Sequence, residues 1–561
     1  MERRSVSPDL AADLAAAIER EAAARGGLTP ELPGEVYERT RASDPAGRRA
    51  DAVYYTPPHL VDFTVDRALA PLLAGADPLA LRVIDPACGG GAFLLAALAR
   101  LDAAAPGRRR ELVRDVLRGV DVDPQAAEVT RLALSLAVPE ATRDDLERAI
   151  TVADALRPES APAGAFDAVI TNPPWGQKRF AFAAADRAFY RARYRSARGH
   201  LDPFALFVER AHELLRPGGR WGMVLPDVVL LKDHEALRAL VLEGTALEHL
   251  AHAGRAFPGV TLAAVVITGR RVAAPPPPRH AVTIWHQLPP GWRAAPPPAR
   301  RQRQAVFARL PGKRFNLHLA PGDLALLDRL ARLPRLGDRF EVHEGVHSGN
   351  ARAKLFLPRR PRGRRAAETA PLVVGKGEVA RYLVAWAGRW IDLAPAALDR
   401  AAGDYANLGR PAWHRRAKIV VRRTGDHLVA AWEPRGHYVS NNLFVVLPRA
   451  AAGAAAQRAL VAVLNSRLLT WCFRAQMPRV GRLFAELKIQ HLAALPLPPP
   501  ARWDAAAVRA LDRLATRRAR AAGADAARLD AAIDAAVETL YGLSLADRRR
   551  VTLRGPARCR P

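Results

Sequence analysis

Four short apolar runs each end in a polar side chain that could hold a ligand. In VIDPACGGGAFL the run reaches Asp85, passes Pro86 and Ala87, and continues through Gly89, Gly90 and Gly91. Glycine permits a tight turn and close backbone approach, and the crevice beyond a strand's carboxyl end is where parallel sheets bind nucleotide-like ligands. A plain tight connection would use the same residues. Roughly thirty residues on, GVDVDP brings Asp121, whose carboxylate could accept from both ribose hydroxyls of an adenosine moiety, while Asp123 suits the cap of a helix beginning near Pro124. ITVADAL offers Asp154, followed by Ala155, placed to accept from the adenine amino group of the same ligand; a lone Asp after a strand also serves as a cap or turn former.

The fourth run, VITNPPWGQ, ends at Asn172 and continues Pro173, Pro174, Trp175. Two prolines cannot continue a strand or helix interior, and Pro174 biases Pro173 towards an extended conformation, so the backbone is stiff and directed outwards. An amide oxygen and a proline carbonyl could accept the two hydrogens of an exocyclic amine, and the indole offers a stacking face.

These side chains need a scaffold that delivers four strand ends to one edge. From Tyr55 to about Arg271, apolar runs alternate with amphipathic stretches, such as RVIDPA with AFLLAALARL and LRGVDVD with PQAAEVTRLALSLA. That alternation predicts a parallel sheet covered on both faces, a doubly wound α/β domain. Residues 1–50 read as a polar helical segment and 51–272 as the α/β domain. The proline-rich stretch 273–300 reads as a linker, 301–500 as a mixed domain of short strands and basic loops, and 501–561 as an Ala-rich helical tail.

The length of 561 residues exceeds one core, and 49% hydrophobic residues suffice for globular folding. No run of eighteen apolar residues and no secretory pattern at the N-terminus is present, so a cytoplasmic protein without membrane partners is expected. Cys88, Cys472 and Cys559 have no paired or metal-ligand spacing, and no metal is expected. A net charge of +29, from 85 basic against 56 acidic residues, points to a polyanionic partner. Arginine-rich, G+C-rich coding would also produce it.

The order YTPP, DPACGGGAFL, GVDVDP, ADAL, NPPW resembles the amino-methyltransferases that act on adenine in DNA, in the subgroup where the cofactor motif precedes the catalytic one. GVHSGNARAKLF, PLVVGKGEVARY, RRAKIVVRR, YVSNNLFVV and VLNSRLLTWCFR resemble the C-terminal specificity domain of Taq-type and Eco57I-type enzymes, and LDAAIDAAVETLYGLS resembles their tail. The resemblance implies a Rossmann-like class I methyltransferase domain followed by a target-recognition domain. It implies S-adenosylmethionine as methyl donor, held by Thr56, Pro57, the turn Asp85 to Gly91, Asp121, Asp154, Ala155 and Asn172. Asn172 to Trp175 become the catalytic motif acting on a flipped adenine. Two departures stand out: GGG where GSG is commoner, and Trp175 where Tyr or Phe is commoner.

The resemblance also implies Phe257, in AFPGVTLAAVVITGR, as a face-to-edge partner for the flipped base; the ordinary reading is a core Phe at a strand entrance. Arg360, Arg364, Lys376 and Lys418 are expected against double-stranded DNA, with Lys354, Arg359, Arg362, Arg365, Arg422, Arg423 and Trp413 nearby. A basic run such as PRRPRGRR is ordinarily a solvated face. The segment before YYTPP has no nuclease-like cluster of carboxylates and lysine, and a separately encoded restriction endonuclease is left open as a partner. Competing readings are methylation of RNA or protein glutamine, where NPP motifs also occur, and a non-catalytic DNA-binding subunit.

Overall fold

Burial without interruption marks the central strands: Val83–Asp85 (β1) and Phe166–Thr171 (β4) have every residue buried, as strands covered on both faces require. The computed structural model of the chain describes residues 8–43, 56–176, 182–198, 201–231, 234–257, 262–286, 288–289, 292, 298, 300–375, 377–425, 427–476 and 485–553. It divides into two units, Met1–His318 and Leu319–Pro561.

In the first unit, Leu117–Asp121 (β2), Ile150–Val152 (β3), Leu215–Pro226 (β5), Thr245–Gly254 (β6) and Ala264–Arg271 (β7) join β1 and β4. Ala281–Trp285 (β8) and Arg300–Arg303 (β9) complete one sheet in the order β3-β2-β1-β4-β5-β7-β6-β8-β9. β3 to β5 are parallel across β2, β1 and β4, whereas β7 runs antiparallel to both β5 and β6. The chain leaves β1 for β2 and β3, then returns to β4 on the other side of β1, so a topological switch lies between β1 and β4.

Helices α1 (Pro8–Arg25), α2 (Leu32–Ser43), α3 (Pro58–Leu73), α4 (Ala92–Ala104) and α5 (Pro124–Ala137) precede β3. α6 (Ala184–Arg193) and α7 (Pro203–Leu214) lie between β4 and β5. α1 and α2 share an apolar cluster with α5 through Leu14, Ile18, Leu32, Val36, Ala126 and Val129, so the polar N-terminal segment belongs to the α/β unit.

The proline-rich stretch is not a boundary. β8 pairs in parallel with β6, and β9 pairs with β8, so the sheet takes in strands inside and at the end of the expected linker, and the first unit runs on to His318. The AVTIW run between the prolines is apolar and β-prone, and buries Val282, Ile284 and Trp285; prolines flanking an edge strand do not interrupt it.

The second unit is built on an antiparallel sheet of Phe340–Glu344 (β10), Lys418–Arg422 (β11), Ala430–Glu433 (β12) and Leu443–Pro448 (β13), ordered β10-β13-β11-β12. Helices α8 (Ala454–Asn465), α9 (Arg467–Gln476), α10 (Ala505–Arg518) and α11 (Gly523–Leu540) cover one face. The expected tail is part of this core: Leu511, Ala515, Ile533 and Val537 share one apolar cluster with Ile419, Phe444 and Leu460.

Candidate active site

Asp85 ends β1 with its residue fully buried. Its Oδ1 accepts the Ala87 N–H at 3.0 Å, and burial raises its pKa to about 7 against the opposing pull of the Thr171 hydroxyl and that N–H. The turn that follows is held from β2 and α5: Cys88 N–H donates to the Val120 carbonyl at 3.1 Å, and the Thr130 hydroxyl donates to the Gly89 carbonyl at 2.7 Å. Gly89 and Gly91 take φ of 52° and 88°, the left-handed region that other residues enter only with strain. Gly90 is required for a different reason, because a Cβ there would lie 2.6 Å from Gly34 Cα on α2.

Asp121, at the end of β2, accepts the Gly89 N–H at 2.9 Å on Oδ2 and the Asp123 N–H at 2.9 Å on Oδ1. Desolvation lifts it to about 6. Each carboxylate oxygen retains a further acceptor site, so ribose hydroxyls can still donate to it. Asp123 is the N-cap of α5, accepting from Gln125 N–H at 2.9 Å and from the Tyr37 hydroxyl at 2.8 Å.

Asp154 follows β3. Its Oδ1 accepts Leu156 N–H at 3.0 Å and its Oδ2 accepts the Tyr190 hydroxyl at 2.5 Å. Sequence reasoning missed Tyr190, and also Arg210 on α7, which is 1% exposed and donates to the Ala155 carbonyl at 2.9 Å and the Ala161 carbonyl at 2.8 Å. The available signal was an arginine inside the apolar run FALFVERAHELL, where burial requires acceptors to surround it.

Asn172 stands just past β4, across the switch point from Asp85. Its Nδ2 donates to the Thr56 hydroxyl at 2.9 Å, while its Oδ1 is buried with no hydrogen-bond partner. Thr56 is itself buried, and Pro57 caps α3, so the YTPP stretch reaches the site through this contact. A buried carbonyl without a donor costs about 1–3 kcal/mol, which a ligand donor would recover.

Trp175 departs from the expected outward presentation. It is 4% exposed, with Phe257, 3% exposed, edge-to-face at 5.0 Å and 79°. Two large apolar rings gain more by covering each other than by facing water. The expected juxtaposition of Trp175 and Phe257 is present as a contact between the rings themselves. The indole Nε1 is buried and lacks a hydrogen-bond partner.

In the second unit one expectation fails outright. Lys418 is fully buried, its Nζ donating to Glu433 Oε2 at 2.6 Å and to the His414 carbonyl at 2.5 Å, so it does not face a phosphate. Lys418 and Glu433 are cross-strand neighbours on β11 and β12, and a buried charge persists only when paired. Arg364 pairs with Asp392 at 3.0 Å, Lys354 with Asp404 at 2.6 Å, Arg365 with Glu368 at 2.7 Å, and Arg423 with Glu344. Arg360 remains exposed with its guanidinium 5.5 Å from the Trp390 ring, and Arg359 and Arg362 are exposed beside it. Lys376 lies outside the described residues. A cleft of about 210 Å³ is lined by His343, Glu344, His347, Asn407 and Trp413, with His343 stacked on Trp413 at 3.9 Å.

Residues 115–257 match the family profile of the Eco57I restriction-modification methylase, and residues 370–497 that of the TaqI-like C-terminal specificity domain. The chain is 29% identical over 222 residues to the type II methyltransferase M.TthHB8I of Thermus thermophilus, covering 38% of this chain and 44% of that protein. It is 31% identical over 204 residues to the type II methyltransferase M.XhoI of Xanthomonas vasicola, covering 34% and 35%. The aligned part thus spans less than half the length of these curated relatives. Among solved structures, the type IIL restriction-modification enzyme MmeI in complex with DNA superposes with a TM-score of 0.60 at 13% identity, over 92% of this chain and 79% of MmeI. The first profile takes in Asp121, Asp154, the Asn172–Trp175 motif and Phe257, and the second takes in β11 to β13. Residues 115–257 thus resemble an Eco57I-type methylase, within a doubly wound α/β unit, and residues 370–497 resemble a TaqI-like C-terminal specificity domain.

Proposed function

We propose that the chain is a site-specific DNA methyltransferase that transfers a methyl group from S-adenosylmethionine to N6 of an extruded adenine, as the modification component of a restriction-modification or phage-defence system. The observation that carries the reading is the buried, unpartnered Oδ1 of Asn172 at the switch-point crevice. The residues around it fit the donor. Asp121 has acceptor capacity for ribose hydroxyls, Asp154 for an adenine amine, and the glycine turn lets the backbone come close.

The bound donor supplies an electrophilic methyl. The protein supplies position and charge stabilisation. Asn172 Oδ1 and the Pro173 carbonyl accept the two hydrogens of the adenine amine, whose lone pair is otherwise delocalised into the ring. The nitrogen is drawn towards tetrahedral geometry with its lone pair facing the methyl; as the carbon–nitrogen bond forms the methyl–sulfur bond breaks, S-adenosylhomocysteine leaves, and the amine proton is then lost to solvent. No strong base is required first.

The target atom is inaccessible within duplex DNA, so the base leaves the stack at a cost of a few kcal/mol. A base stacked on the Trp175 ring in exchange for its present contact with Phe257 would offset part of that, base–aromatic stacking being worth about 1–3 kcal/mol. In the second unit, Arg359, Arg360 and Arg362 are the exposed cations suited to phosphate, and the polar rim at His347 and Asn407 suits base edges.

The test is to incubate the purified chain with S-adenosylmethionine and genomic DNA from a host lacking adenine methylation, then map modified bases by sequencing. N6-methyladenine in one recurring sequence context is expected; DNA left unmodified overturns the proposal. Asn172→Ala should abolish methylation while retaining cofactor binding, and wild-type turnover in that variant would remove the amide from the mechanism.

A further inference from the structure

Tyr190 is not part of the NPPW motif, yet its hydroxyl is 2.5 Å from Asp154 Oδ2 and its side chain is 3% exposed. It sits on α6, the first helix after that motif among the described residues. Three further groups fix the same loop. Tyr194, one turn on, donates to the Leu156 carbonyl at 2.5 Å, Arg210 holds the Ala155 and Ala161 carbonyls, and Arg157 bridges from Asp154 at 3.4 Å to Asp186 on α6 at 2.6 Å. Phe182 and Phe189 pack edge-on against the Tyr190 ring at 5.2 and 5.6 Å. Burial and the adjacent carboxylate raise the phenol's pKa well above its ordinary value, so it remains a donor at working pH.

We propose that Tyr190 is a positioning residue for cofactor recognition: its hydroxyl orients the Asp154 carboxylate so that a remaining acceptor site faces the exocyclic amine of the bound adenosine. This rests on the methyltransferase reading above. A carboxylate has about four acceptor sites, and Leu156 N–H and Tyr190 Oη–H use one on each oxygen. Rotation of Asp154 about its side-chain bonds would forfeit both.

The experiment uses the full chain and two probes, S-adenosylhomocysteine and its deaminated analogue S-inosylhomocysteine, which keeps the ribose and the amino acid but presents a carbonyl in place of the amine. Affinities are measured by calorimetry. Wild type should prefer the adenosine form. In Tyr190→Phe that preference should fall by about tenfold, the scale of one hydrogen bond to a charged group, with the inosine form bound as before. Tyr194→Phe perturbs the same loop through a carbonyl and should leave the preference unchanged. Asp121→Asn should weaken both probes alike. A Tyr190→Phe variant that discriminates as wild type does, or binds the adenosine form more tightly because the phenol had been blocking the site, overturns the inference while leaving the methyltransferase reading intact. Equal loss of preference in both tyrosine variants reduces Tyr190 to a structural role and also overturns it. A wild-type chain that binds neither probe overturns the function reading itself and this inference with it.

Discussion

Lys418→Met separates two roles that the sequence could not tell apart. If the ammonium contacts DNA, its loss weakens binding; if it completes a buried ion pair, its loss weakens the fold. Lys418 and Glu433 are 0% and 1% exposed. Removing one partner of such a pair costs about 3–5 kcal/mol, because the other charge stays buried. Glu433 also accepts backbone N–H groups from Arg435, Gly436 and His437 at 2.8, 3.0 and 3.1 Å, so part of its demand is met without the lysine. The lower end, about 3 kcal/mol, is therefore expected. For a unit of this size that lowers Tm by about 6–12 °C. Scanning calorimetry of the full chain measures it, with the double variant Lys418→Met, Glu433→Gln expected to recover part of the loss, since the amide removes the unpaired buried charge while its oxygen still accepts the Arg435, Gly436 and His437 N–H groups. DNA affinity is then titrated against salt at a temperature where both proteins are folded. The slope of log K on log salt should match wild type. A slope shallower by about 0.9 with an unchanged Tm would mean that a phosphate contact had been removed, and would refute the reasoning.

Three further outcomes can be checked. Trp175→Ala should weaken methylation of a fully paired duplex more than of a duplex with a mismatch at the target, because mismatch lowers the cost of extrusion; equal losses would argue against stacking. Gly90→Ala places a Cβ 2.6 Å from Gly34 Cα, backbone against backbone, so the turn must shift; cofactor affinity should collapse, and unfolding of the first unit should be easier by about 1–3 kcal/mol, read by calorimetry. Asp85 and Asp121 are raised to about 7 and about 6, so both become protonated as pH falls through that range. A cationic donor and ribose hydroxyls favour the ionised forms, so cofactor affinity should rise from pH 6 to pH 8 and level off above. The linked stability runs the other way: raised folded pKa values give stability that is full below the unfolded value near 3.8 and is lost as pH rises through about 6 to 7. Asp85→Asn should flatten its share of that fall.

The placement of the candidate site's strand-end residues was legible because each is local to its own run in sequence. Asp85, Asp121, Asp154 and Asn172 each follow an apolar run, and a parallel sheet brings the ends of such runs to one edge whatever the details of packing. The helix-capping role of Asp123 was legible for the same reason, since a cap involves residues two or three positions away. The proline-rich segment misled because composition reports on prolines and not on the four apolar residues of AVTIW between them, whose pairing with β6 is a long-range event.

What the sequence by itself determined was the order of chemical groups and the strand ends that carry them. The tertiary structure decided which polar groups are already satisfied. Lys418 looks like a basic residue in a basic stretch until β12 places Glu433 opposite it, and Arg364 until Asp392 reaches it from 28 positions along the chain. Tyr190 looks like one aromatic among several until α6 lays its hydroxyl on Asp154, 36 positions away. Charge and polarity are properties of a residue, but whether they remain available to a ligand depends on which residue folds against them. That is a property of the packed chain.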